Sequence, residues 1–243
     1  MHMDSKGSEK GILYLLPTTL GETEPLEVLP LTIKQAVEGI DHYVVENEKS
    51  ARRFIKKITP RKSQAQLRIK LLNKYTEEHE IPEYLQPCME GLSIGVLSEA
   101  GCPGIADPGA LLVRMAHEKG IRVVPLVGPS SIILALMASG LNGQNFAFNG
   151  YLPIESAARR KAIRELEKRS RESGQTQLFM ETPYRNNKLL AELVRTLRPD
   201  TRLCIAADLT LKTEYIQTLA ISEWSGYTVD LHKRPAIFAI LAE

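Results

Sequence analysis

Apolar residues in this chain come in short blocks, and the blocks are of two kinds. "GILYLLP" (11–17), "DHYVVEN" (41–47), "LSIGVLS" (92–98) and "IRVVPLV" (121–127) are compact and bounded by turn formers or polar residues, which predicts buried strands. Between them, "TIKQAVEGI" (32–40), "EKSARRFIKK" (48–57), "KSQAQLRIKLLNKYTEEH" (62–79) and "GALLVRMAHEKG" (109–120) predict helices, two of them densely charged. Strand followed by helix, repeated, favours a mostly parallel sheet covered on both faces.

The second half keeps the style but changes the proportions. Helices are predicted at 129–140, 155–172 and 187–197; in the last, Leu189, Leu190, Leu193, Val194 and Leu197 share one face. Strands are predicted at 145–153, 175–181, 202–208, 213–221 and 235–242, with the segment at 213–221 as a hairpin partner. The expected fold class is therefore α/β in two domains, 11–127 and 128–243. The first carries a mostly parallel sheet and the second a mixed one. A length of 243 residues, about twice the commonest domain size, agrees with two units.

Composition narrows the class further. Hydrophobic residues at 43% and charged residues at 25% are ordinary globular usage. No run approaches the roughly 18 to 20 apolar residues that span a bilayer, and the polar start "MHMDSKGSEKG" lacks a signal-peptide core, so a cytoplasmic protein without membrane partners is expected. Cys88, Cys102 and Cys204 are odd in number and widely spaced, which suggests reduced thiols rather than disulfides or zinc. His42, His117 and His232 have no partner at metal-ligand spacing, and no metal site is expected. A net charge of +2 says nothing about nucleic acid, so only local clusters can.

Three turn-rich segments follow predicted strands: "PTTLGET" (17–23), "EAGCPGIADPG" (99–109) and "GPSS" (128–131). In an open α/β sheet such loops leave the carboxyl ends of strands, where ligands bind. Asp107 and Pro108 read as the start of the next helix, one capping and one at the first helical position. Gly101, Cys102, Pro103 and Gly104 exceed what a cap needs. Neither GxxxxGK[ST] nor GxGxxG is present, so a phosphate cradle is excluded. A phosphate-free ligand with an adenosine and an amino-acid end, such as S-adenosylmethionine, suits main-chain hydrogen bonding. Its carboxylate would suit the free N–H groups that open the helix at Ser130 and Ser131.

The segments "GILYLLPTTLGE", "LSEAGCPGIADPG", "GIRVVPLVGPSSIILALMASGL", "FNGYLP" and "METPYR", in that order, resemble the tetrapyrrole methylase superfamily. Within it they look most like the branch that methylates a ribose 2′-oxygen of a cytidine in small-subunit ribosomal RNA. The resemblance spans residues 11 to 242. It implies a homodimer of two-domain subunits, with S-adenosylmethionine in a cleft between the domains and RNA as substrate. Carried over by position, Pro17 belongs to the first donor loop, and Ala100, Gly101, Cys102, Pro103 and Ile105 to the second. Ser130 and Ser131 open the second domain, while Met180, Glu181, Ala207, Asp208, Pro235 and Ala236 lie on the loops that close on the adenosine.

The resemblance departs where the acceptor would sit. Members of the ribosomal branch carry a stretch like A-E-D-T-R after the second strand, and here it reads V-E-N-E-K. Glu46 is kept, Asn47 replaces the aspartate and Lys49 replaces the arginine. An amide in place of a carboxylate removes an acceptor and any general-base capacity at that point. Glu46 is the expected base for a ribose hydroxyl, with Glu99 and Glu181 as rivals. Asn47, Lys49, Arg52 and Arg53 are the expected substrate contacts, inside a cluster that also holds Lys56, Lys57, Arg61 and Lys62. A second basic stripe is expected at Arg160, Arg164, Lys168 and Arg171, flanked by Arg159, Lys161 and Arg169 and interleaved with Glu165, Glu167 and Glu172. Two other functions fit the residues alone: a methyltransferase for a tetrapyrrole or another small molecule, and a donor-binding module without catalysis.

Overall fold

A computed structural model describes residues 9–242. The first eight residues of the polar leader and the final residue of the expected second domain lie outside the described residues. The chain divides into two compact units, one ending at Pro129 and the other beginning at Ser130.

The first unit contains β1 (Ile12–Leu16), α1 (Pro25–Val28), α2 (Leu31–Gly39), β2 (His42–Val45), α3 (Glu48–Ile58), β3 (Arg68–Leu71), α4 (Ile81–Tyr84), α5 (Gln86–Met89), β4 (Ile94–Leu97), α6 (Gly109–Glu118) and β5 (Arg122–Pro125). The five strands form one sheet in the order β3-β2-β4-β1-β5, and every neighbouring pair is parallel. Alternate strand residues point to opposite faces, so the sheet has two cores. Tyr43, Val45 and Leu97 join Ile33, Val37, Ile55 and Ile58 of α2 and α3. Val44, Ile94 and Val96 join Leu85, Leu112 and Ala116 on the other face. Ile33, Val37 and Ile55 are fully buried, and each contributes about 2 kcal/mol through the area it removes from water.

The segment 62–79 is not the helix its lysines and glutamines suggest. A 3-10 turn (Gln64–Gln66) leads into β3, and a second (Glu78–Glu80) precedes α4. Leu67, Ile69 and Leu71 alternate with Arg68 and Lys70 at period two, and β2 offers an open edge on which Tyr43 pairs with Ile69. Leu67 and Ile69 pack on the α2–α3 side, while Arg68 and Lys70 stay exposed on the outermost strand. Charges there discourage edge-to-edge association. Tertiary pairing thus overrides local helix propensity.

The second unit contains α7 (Ser131–Ser139), β6 (Phe146–Tyr151), α8 (Ser156–Ser173), β7 (Thr176–Met180), α9 (Asn186–Thr196), β8 (Arg202–Ala207), β9 (Tyr215–Ala220), α10 (Ile221–Trp224) and β10 (Ala236–Leu241). Its sheet runs β6-β7-β10-β8-β9. β6 and β7 are parallel, β10 is antiparallel to β7 and β8, and β9 is antiparallel to β8, so the sheet is mixed. Phe179 and Phe238 stack with ring centroids 6.0 Å apart beneath the buried Leu189 and Leu193 of α9. Glu155 starts α8 by accepting from the N–H groups of Ala157 and Ala158, and Gly174 ends it at φ +61°.

The basic stripe expected along α8 is thinner than its sequence suggests. Arg159 is buried, forms an ion pair with Glu192 and donates to Ile154 O at 3.0 Å. Glu167 is buried as well and accepts from Thr201 Oγ1 and the Arg198 N–H. Both sit on the face that carries Ile163 and Leu166, which charge counting alone does not resolve. Among the described residues no helix is long and apolar enough to cross a membrane.

Candidate functional site

Because β4, β1 and β5 lie side by side and parallel, the loops leaving their carboxyl ends emerge on one edge of the first sheet. Main-chain contacts tie these loops together. The Thr18 N–H donates to Gly101 O at 3.0 Å in an isolated antiparallel bridge, and Ser98 Oγ donates to the same carbonyl at 3.0 Å. Cys102 Sγ reaches Pro129 O at 3.4 Å. Asp107 Oδ1 accepts from the N–H groups of Gly104 (2.7 Å) and Gly109 (2.8 Å), so it braces the loop as well as the helix start. The helix itself begins at Gly109, where the block 109–120 puts it, but Pro108 and not Asp107 is in the capping position.

The glycines explain how three loops fit so closely. Gly101 has φ +73°, and a Cβ there would stand 3.1 Å from Leu20 Cδ2 and 3.2 Å from Pro129 O. A Cβ on Gly128 would come within 2.2 Å of Pro17 Cβ. Pro17, Gly101 and Pro103 are buried, Cys102 is half-buried, and Ala100 and Ile105 are exposed. Burial pushes the Cys102 thiol up, which suits a wall residue and not a nucleophile.

Glu46 follows β2, beside β4 on the same carboxyl edge. Its carboxyl is held above the usual range by burial first, then by the charge of Asp107; the Glu99 N–H opposes this, and the Glu99 carboxylate adds to it. Asn47 has a structural duty: its Oδ1 caps α3 by accepting from the Lys49 N–H (2.9 Å) and the Ser50 N–H (3.3 Å), worth about 1 kcal/mol. Arg52 is also committed, to Glu48 at 2.7 Å and to Gln64 O at 2.7 Å. Lys56, Lys57 and Lys62 likewise meet Pro60 O, Glu24 and Asp41. Lys49 and Arg53 stay exposed at the surface, Arg53 only loosely paired with Glu22 at 3.7 Å.

The second unit collects its expected residues in the same manner. β10 is antiparallel to its neighbours, so its first residues lie beside the last residues of β7 and β8: Ala236 pairs with Ala207, and Ile237 pairs with Met180. The Asp208 N–H donates to Pro235 O at 2.9 Å. Asp208 Oδ2 accepts from Arg234 Nε at 2.7 Å and from Thr213 Oγ1 at 3.0 Å. Glu181 is buried and salt-bridged to Arg185 at 2.6 Å. Ser130 lies at the cap of α7, its Oγ accepting a long bond of 3.5 Å from the Ile133 N–H, and Ser131 is the first helical residue.

Burial drives the Glu181 carboxyl up, but Arg185 and the Thr182 N–H outweigh it, and the net shift is downward. A depressed folded value means stability that is present above the ordinary 4.5 and is lost as pH falls through the folded value. Glu181→Gln is therefore expected to flatten the acid limb of a urea-midpoint curve below about pH 4.5. An unchanged acid limb would remove the ion pair from the account.

Two features were not foreseen. Ala106, Asp208, Thr210 and Lys233 have φ between +52° and +71°, and they are the non-glycine residues in the left-handed region among those described. Each lies in, or within two residues of, the segments assigned to the donor, where such strain tends to gather. Glu181 Oε2, Arg185 Nε, Asn186 Oδ1, Thr210 Oγ1 and Tyr215 Oη are buried without partners, all at the edge formed by the ends of β7 and β8 and the start of β9. Unsatisfied donors and acceptors of this kind match a polar ligand without phosphate. The residues present thus fit S-adenosylmethionine.

Family and relatives define a methyltransferase that uses S-adenosylmethionine as its methyl donor. The chain belongs to the tetrapyrrole (corrin/porphyrin) methylase family, whose sequence profile matches residues 30–224. Relatives named "Ribosomal RNA small subunit methyltransferase I" include one from Escherichia coli O157:H7, 32% identical over 98% of this chain and 80% of the relative. One from Vibrio cholerae is 31% identical over 87% of this chain and 69% of the relative, and one from Bacillus subtilis 32% over 90% and 71%. Among solved structures, the methyltransferase CobJ matches with a TM-score of 0.63 at 16% identity, covering 96% of this chain and 94% of its own. The uroporphyrin-III-C-methyltransferase of Thermus thermophilus matches with a TM-score of 0.53 at 18% identity, over 95% and 92%. These last two likenesses are of fold.

Proposed function

We propose that the chain transfers the donor's methyl group to a ribose 2′-oxygen of ribosomal RNA, acting in the cytoplasm as a homodimer. The observation that carries the RNA reading is similarity over 98% of the chain to a relative named for that substrate. In this reading the first unit's share of the donor site is Pro17 with Ala100, Gly101, Cys102, Pro103 and Ile105. The second unit's share is Ser130, Ser131, Met180, Glu181, Ala207, Asp208, Pro235 and Ala236. The bound donor supplies an electrophilic methyl on a sulfonium.

The chain's own residues align the acceptor and accept its proton. Glu46 is the proposed base, because its position on the carboxyl edge puts it beside the donor loops. Its raised pKa makes the carboxylate a stronger base than an exposed one. Lys49 and Arg53 are the side chains near it that remain open to phosphate, while Asn47 and Arg52 act through the shape of α3.

The test incubates the protein and labelled S-adenosylmethionine with small ribosomal subunits and with naked ribosomal RNA. Label is expected in RNA, in a nucleotide that resists alkaline hydrolysis because its 2′-oxygen is blocked. Label confined to small molecules, or no transfer to either RNA, would overturn the reading.

A further inference from the structure

A small cavity of the first unit lies against the loop that follows β1. It holds about 130 Å³ between the loop after β1 and helix α3, and its lining includes Thr23, Ser50, Arg53, Phe54, Lys57 and Glu99. Resting on the RNA reading above, we propose that this pocket takes a single pyrimidine base of the substrate, and that Glu99 specifies it by accepting from an exocyclic amine. The resemblance concerns the product of the reaction; the residues that read the base are the new element.

Size sets the first limit. An apolar cavity of roughly 150 Å³ accommodates benzene, so a pocket of about 130 Å³ that is open on one side is nearer in size to a single ring than to a fused pair. Chemistry sets the second. Ser50 Oγ lies 3.0 Å from Asn47 O and 2.5 Å from Glu99 Oε1; its one proton, given to the nearer carboxylate, orients Glu99 and leaves Oε2 to accept. An ionised carboxylate accepts only. Cytosine presents an amine at position 4 where uracil presents a carbonyl oxygen, so the same pocket welcomes one and repels the other.

The remaining walls suit a base as well. Thr23 Oγ1 is buried without a partner and can donate to a ring acceptor. Lys57 donates to Thr23 O at 2.7 Å and holds that residue in place. Phe54 supplies the apolar wall on which ring systems of single-stranded RNA pack. Arg53 and Glu22 join the two sides through an ion pair of 3.7 Å with side chains 70% and 79% exposed. Such a pair is weak, so Arg53 can exchange Glu22 for a backbone phosphate.

The test measures binding of 5′-labelled single-stranded oligo(C) and oligo(U) by anisotropy, with the full chain saturated in S-adenosylhomocysteine at fixed salt. Wild type is expected to favour oligo(C) by about tenfold. In Glu99→Gln the amide can donate to the uracil oxygen, so the ratio is expected to fall to one or reverse, with affinity for S-adenosylhomocysteine unchanged. Phe54→Leu is expected to weaken both oligonucleotides alike. An unchanged ratio in Glu99→Gln overturns the proposal, and so does loss of S-adenosylhomocysteine binding, which would move Glu99 to the donor. If ribosomal RNA takes up label while wild type shows no preference, this proposal alone falls. If wild type binds neither oligonucleotide and no RNA takes up label, the functional reading falls with it.

Discussion

Replacing Gly128 by alanine is expected to lower the stability of the first unit by about 3 kcal/mol and the methyl-transfer rate by about a hundredfold. The added methyl would stand 2.2 Å from Pro17 Cβ and 2.7 Å from Pro17 Cγ. Neither partner is the free end of a flexible side chain, so the backbone of one loop must move. Pro17 begins the loop whose next residue bridges to Gly101, and displacement there is passed to the second loop through the Thr18 N–H. Thermal melting and calorimetric titration with S-adenosylhomocysteine read the two effects separately. Gly143→Ala, where an added Cβ meets nothing within 4 Å, is the matched control and is expected to change stability by less than about 0.5 kcal/mol. Normal donor affinity in Gly128→Ala would remove these loops from the donor site.

Glu46→Gln is expected to reduce the maximal rate by about 10² to 10³ with little change in donor affinity. The amide keeps the size of the side chain and loses its ability to take a proton. Wild type should gain activity as pH rises through a limb lying above the ordinary carboxylate value of 4.5, since burial and the Asp107 charge favour the protonated form and outweigh the Glu99 N–H that opposes them. Stability runs the other way: a carboxyl with a raised folded value favours the fold below its unfolded value, and that contribution fades as pH rises through the folded one. Glu46→Gln should therefore lose the activity limb and part of the stability slope together. A variant with a full rate and an unaltered pH profile would show that transfer proceeds without this base.

Most of the first sheet can be read from apolar blocks and their turn residues, because both faces of a parallel sheet are covered and its strands become dense apolar runs. β3 escaped because it is an outermost strand with charged positions, and its L-x-I-x-L alternation was the signal available. Arg159 and Glu167 escaped because burial of a charge depends on a partner from elsewhere in the chain: Glu192 for one, Thr201 and the Arg198 N–H for the other. At the candidate site, Gly101 and Gly104 announced a left-handed loop through residue type alone. Ala106, Thr210 and Lys233 carry no such mark, and their strain becomes visible only in the backbone. The Thr18–Gly101 bridge is main-chain chemistry, to which side-chain motifs are blind.

The all-parallel order of the first sheet has a consequence for how this enzyme can change over evolutionary time. Every strand delivers its outgoing segment to the same rim, but β1, β4 and β5 feed the interlocked bends, whereas β2 feeds only Glu46 and the start of α3. The few residues after β2 touch those bends only through Glu99, which meets Glu46 and Ser50, and not through the Thr18–Gly101 bridge or the glycines. Substitutions in the run V-E-N-E-K can thus alter the start of α3 without changing the glycines that let those bends pack together.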